Sequence, residues 1–177
     1  MDAVTLLREQ LRDAHALLEA IMQDVTPEAA HWMPPGMANP VGATYAHVVF
    51  FEDRTINGVI LHRRPLYETT WTGRTGISDL MPEQGGDWDN YVPWTRRVQI
   101  DLAALRPYAQ AVYENTDAYL ASLSPEDLDK KLDLSGVGGG QTTLGEALSR
   151  RIVAHVDNIA GEISCLKGLQ GLKGYPF

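Results

Sequence analysis

Two histidines fall where helix periodicity buries side chains, and their chemistry sets the first question. A last long helix is expected from Thr143 to about Gln170. Along it Leu144, Leu148, Ile152, Ile159, Ile163 and Leu166 recur in steps of three, four or seven, which gather on one stripe of a 3.6-residue helix. His155 lies on that stripe, three residues after Ile152 and four before Ile159. His47 lies in a second helical segment, ATYAHVVFFEDRTINGVILH, which is apolar on more than one face and so expected to be central and buried. An imidazole left unpaired in a core costs about 1–3 kcal/mol, so each ring needs a partner. One reading is metal ligation: neutral imidazole is a common ligand for zinc, nickel or iron, and facing helices of a bundle are where such sites are assembled. The other is a pair of structural histidines, each bonded to a carboxylate or a carbonyl.

Other residue types that do chemistry are less well placed. Cys165 is ten residues from His155, about 15 Å along the axis, with no nearby base, and reads as an ordinary helix cysteine. Ser135-Gly136 and Gly138-Gly139-Gly140 lack the Lys-Ser/Thr ending of a phosphate loop and read as a flexible turn. Trp71, Trp88 and Trp94 could line a ligand cleft or pack a lid on the core. His15 sits beside the apolar seam of the first helix and is expected at a solvated rim.

The elements that must position these groups are legible from caps and periodicity. A first helix is expected from Ala3 to Asp24, capped by Asp2, with Val4, Leu7, Leu11, Ala14, Leu18, Ile21 and Val25 spaced alternately by three and four. Thr26-Pro27-Glu28 starts a short turn. Prolines forbid regular helix from His31 to Pro40, where Trp32 and Met33 are expected to cover an open end of the core. The second helix begins near Ala43 or Thr44 and ends around Leu61. Pro65 to Pro93 is a long connection, of the kind that carries function or covers something, with helical turns expected near Ile77–Met81 and Trp88–Trp94. A third helix runs from about Leu102 to Leu123 with Asp101 as cap, although Pro107 could delay its start to Arg106. Leu132 to Ser135 suggests a small extended excursion. Thr143-Leu144-Gly145-Glu146 is a capping box opening the last helix, and Leu172 to Phe177 is expected to tuck against the body. The pattern is all-α: one domain over residues 1–177, a four-helix bundle with a long connection between helices two and three.

Composition narrows the function classes. A net charge of −8 with no basic patch speaks against nucleic acid or an anionic membrane as the main partner. No run of 18 apolar residues spans a bilayer, and MDAVTLLREQ lacks the basic and apolar regions of a secretory signal. One cysteine excludes an intrachain disulfide and fits a reducing cytoplasm.

The segment Ala46-His47 followed by Glu52-Asp53, a last helix carrying His155 and Gly161-Glu162-Ile163, and the strings PPGMANP (34–40) and GLQGLKGYPF (168–177) resemble the DinB superfamily, in an actinobacterial-type branch. The resemblance covers essentially the whole chain. It implies a divalent metal held by three histidines, one on helix two and two spaced by four on the last helix. The first falls on His47 and the second on His155, but the third position is Ile159, which cannot ligate. Two histidines hold zinc weakly, because a catalytic zinc takes three protein ligands and a water. Glu52, Asp157, Asn158 or Glu162 would have to complete the set. Asp157 and Asn158 are turned about 200° and 300° from His155, and Glu162 lies about 10 Å up the axis. The expectation is therefore a degenerate metal site (His47, His155) with no tightly bound cofactor, in a homodimeric small-molecule-binding or scaffold protein. The alternative that the resemblance implies is a zinc- or nickel-dependent transferase or isomerase using a low-molecular-weight thiol.

Overall fold

The computed structural model describes residues 1–82 and 88–177, with only the backbone of Trp88 and Asp89 described. It is mostly helical with one small two-stranded sheet. Helix α1 spans Ala3–Met22; the Asp2 carboxylate accepts the Thr5 N–H at 2.9 Å and so starts it. Its Val4, Leu7, Leu11, Ala14, Leu18 and Ile21 are buried, as their spacing requires. Its last carbonyls are met by two cations from elsewhere: Lys167 Nζ donates to Ile21 O at 2.6 Å and Arg106 to Met22 O at 2.7 Å. Thr26 caps the short α2 (Pro27–His31). His31 is a structural strut, its Nδ1–H donating to Pro27 O at 2.7 Å and its Nε2 accepting the Ile100 N–H at 2.9 Å. Met33 is 45% exposed and does not cover the core, because the chain through Pro34 carries it outward.

Helix α3 (Val41–Asp53) is buried almost throughout, and the chain then widens into a π-helical segment, Arg54–Ile60. The α2–α3 approach is close: a Cβ on Gly42 would stand 3.0 Å from Ala30 O. Asp53 anchors the start of the long connection. Its carboxylate accepts the Leu66 and Tyr67 N–H groups at 3.0 and 3.1 Å, Asn57 Nδ2 at 2.7 Å and the Tyr108 hydroxyl at 2.8 Å. Ile77 makes an antiparallel bridge with Ile100, where helical turns were expected, because Gly76 at φ +75° turns the chain beside Asp101. Helix α4 (Trp88–Arg97) carries the fully buried Trp94, whose indole N–H donates to Asp79 O at 2.7 Å. Trp71 packs on Tyr108 with ring centroids 5.8 Å apart. Both are packing residues; the side chain of Trp88 lies outside the described residues.

Helix α5 (Leu102–Ala121) starts at Leu102 despite Pro107, since Asp101 accepts from Ala103 and Ala104 and the proline falls in the second turn, where it removes one donor only. Strands β1 (Lys131–Asp133) and β2 (Gln141–Thr143) pair antiparallel, with Leu132 opposite Thr142. The last helix is three segments in line: α6 (Leu144–Ala147), a π-helical segment Leu148–Val153, and α7 (Ala154–Leu169). Thr143 accepts the Glu146 N–H at 3.2 Å, but the Glu146 carboxylate turns to Thr142 Oγ at 2.8 Å, so only half of the capping box forms. Helices α1 and α3 each pack against both α5 and α7. The tail returns along α7 through Gly174, whose Cβ position lies 2.8 Å from Ser164 O, and Tyr175, whose hydroxyl lies 3.5 Å from the Cβ position of Gly161; Phe177 is 87% exposed. Among the described residues no helix is long and apolar enough to cross a membrane.

Candidate functional site

Helices α3 and α7 pack together and bring His47 and His155 into direct contact. Their Nε2 atoms are 3.2 Å apart, with the rings nearly perpendicular at 88°. On the far side of its ring, His47 Nδ1 stands 3.2 Å from Met81 Sδ. A thioether only accepts, so Nδ1 carries the proton and His47 Nε2 keeps a lone pair toward His155. The surround is aromatic: Phe51 stands edgewise to His155 with centroids 4.5 Å apart, and Tyr91 edgewise to His47 at 5.3 Å. Burial, with a smaller contribution from His155, pushes His47 down to about 3. Burial also pushes His155 down to about 4; the Glu52 carboxylate opposes that shift and Arg151 adds to it. Both rings are therefore neutral at pH 7, the form that offers a lone pair.

The donor set fits part of a metal centre. Two nitrogens on one tetrahedral zinc at about 2.0–2.1 Å lie about 3.3 Å from each other, close to the separation observed. A third donor is lacking: among the described residues no group of three His, Cys, Asp or Glu side chains could share an ion. Ile159, one turn beyond His155, is buried. Asp157, Asn158 and Glu162 are exposed, and Cys165 is exposed further along the same helix.

One oxygen of Glu52 is committed elsewhere, while its Oε1 is buried with no hydrogen-bond partner among the described residues. Its Oε2 is 2.8 Å from His15 Nε2, and that imidazole lies flat on Tyr113 with centroids 3.8 Å apart and an interplanar angle of 19°. His15 is thus 7% exposed, contrary to the rim position expected for it. The reason is that α1 is contacted on two sides, by α5 and α7, and the buried Glu52 carboxylate compensates the ring's desolvation. The available signal was its spacing, four residues after Leu11 and three before Leu18. Glu19 was also missed: its Oε1 accepts the hydroxyls of Tyr45 at 2.7 Å and Tyr113 at 2.9 Å, completing a polar layer between α1, α3 and α5. Met81 and Tyr91 join the histidine pair from segments whose approach no local pattern announces, whereas Arg151 lies four residues before His155 on the same last helix.

The helical frame and its histidine pair define a class before they define a protein. The chain belongs to the DinB superfamily, whose sequence model matches residues 10–156. Its fold is similar to that of a conserved protein from Enterococcus faecalis known from a crystal structure, with a TM-score of 0.78 and 22% identity over 96% of this chain and 97% of that one. No curated protein matches the chain.

Proposed function

We propose that this DinB superfamily chain is a four-helix-bundle protein, formed by α1, α3, α5 and the last helix, that binds a small molecule beside a metal site reduced to His47 and His155. One observation carries the reading: the two imidazoles meet Nε2 to Nε2 while Ile159 fills the position one turn on. Two neutral imidazoles bind a divalent cation weakly and reversibly, so the site keeps a polar, lone-pair-rich spot in an aromatic wall without holding zinc or nickel through purification. A homodimer and a reducing compartment belong to the same proposal; sedimentation at several concentrations tests the first.

The deciding experiment is metal content of the purified protein together with thermal shift against Zn²⁺ and Ni²⁺. Substoichiometric metal, with no melting rise at micromolar ion, is expected. A stoichiometric ion, or a rise of several degrees, overturns the proposal and favours a metal-dependent transferase or isomerase using a low-molecular-weight thiol. The observation on that side is the 3.2 Å separation of the two nitrogens, which suits one ion.

A further inference from the structure

Two arginines without carboxylate partners meet where the two π-helical segments face one cleft. Arg54 opens the segment after α3 and Arg151 lies in the segment before α7; both line the cleft, with Phe51, Thr55, Val59 and Val137. Arg8, Arg12, Arg64, Arg97 and Arg150 each pair with an acid, whereas Arg54 and Arg151, like Arg63, Arg74, Arg96 and Arg106, pair with no carboxylate among the described residues. Arg151 is held in place: its guanidinium donates to Val137 O at 3.2 Å and stands 5.6 Å from the centre of the Phe51 ring. The β1–β2 hairpin closes over it because residue 139 is glycine. A Cβ there would fall 2.6 Å from Leu134 Cβ and 3.0 Å from an Arg151 terminal nitrogen. Burial pushes Arg151 below the usual arginine value, with no carboxylate acting to raise it.

We infer that this cleft is a carboxylate subsite: Arg54 and Arg151 take the anionic end of a small organic acid whose body lies along Phe51 toward His47 and His155. The inference rests on the small-molecule reading above and names the ligand class. Guanidinium donors match a carboxylate bidentately, and only one of the contacts of Arg151 is spent on Val137. The cleft has room of about 10 Å³, one water-sized group, so only the charged end of a ligand reaches into it. Phe51, Val59 and Val137 give its rim an apolar border, against which a ligand body outside the cleft would rest. A single phenyl ring separates the two polar ends: Phe51 touches His155 on one side and Arg151 on the other.

Benzoate is the probe, titrated into the whole protein and followed by nuclear magnetic resonance at the arginine Nε–H groups and the imidazoles. Saturable shifts at Arg151 and His155 are expected, with binding weakened about tenfold or more in Arg54→Gln, which leaves the Val137 contact intact, and in Arg151→Lys, which keeps the charge but loses the fork. Binding equal in wild type and both variants, or no saturable shift, overturns the inference. Tighter binding of inorganic phosphate than of benzoate overturns the carboxylate assignment. Zinc thermal shift on Arg54→Gln separates the two readings, since neither arginine is a metal donor: tight zinc with arginine-dependent benzoate binding sinks only the weak-metal proposal, and weak zinc with arginine-independent benzoate binding sinks only this one.

Discussion

Helix α3 contributes to two histidine pairings that differ in what faces the imidazole. On the α1 side, His15 meets the carboxylate of Glu52, lies on Tyr113, and is closed from water. On the α7 side, His47 meets another imidazole, with a thioether behind it and aromatic edges around it. A carboxylate satisfies an imidazole and fixes its orientation, which makes a strut. An imidazole facing an imidazole leaves lone pairs in an apolar wall, which makes a site. The first pair is buried and the second half-buried, and beyond that difference it is the partner that separates a structural histidine from a functional one.

Removing one side of the first pair should cost most. His15→Ala strips Glu52 of its partner in the interior, and a loss of about 3 kcal/mol in urea unfolding is expected. His155→Ala, which breaks a neutral pair, should cost closer to about 1 kcal/mol. Equal costs would erase the distinction between strut and site. Next comes repair of the second pair. Ile159→His supplies the missing imidazole one turn from His155, and calorimetry should show zinc affinity raised about 10–100-fold over wild type. No gain would mean that position 159 does not look onto the pair.

The pH dependence is smaller and has a definite sign. His47 at about 3 and His155 at about 4 lie below the unfolded value near 6.5, so between about pH 6.5 and 4 the unfolded chain binds protons that the folded chain does not. Stability is flat above that window and falls as pH drops through it, by at most about 1.4 kcal/mol per pH unit for each ring. Chemical unfolding of His155→Gln between pH 7 and 4.5 should show a shallower fall than wild type; a parallel curve would remove His155 from the account. The smallest effect expected is from Met81→Leu. A thioether is a weak acceptor, so stability should change by about 1 kcal/mol or less, while the ¹⁵N shifts of His47 report loss of its fixed Nδ1–H tautomer.

The helices were readable because caps and spacing are local. Asp2, Thr26, Asp101 and Thr143 all start elements where their side chains reach a backbone N–H. The contact of His47 with His155 was reachable too, since both rings lie on buried helix faces. His15 was not, because its burial depends on a carboxylate 37 residues away. The bridge at Ile77 was set by its distant partner Ile100, and the exposed end of the tail by the lack of a surface to receive Phe177. Nor did any local pattern announce the two π-helical segments, whose extra residue per turn has no reliable composition.

Those segments carry a consequence for how the protein tolerates change in length. A wide turn absorbs an additional residue without rotating its flanks: six residues at about 4.4 per turn cover about 490°, and five at about 3.6 per turn about 500°, so deleting a single position within 148–153 restores a regular α-helix with both ends facing as before. Such a deletion would leave the helix continuous, with the ring of His155 and the hairpin each on its present side. The chain should accept the loss of one residue there better than within the α-helical turns on either side.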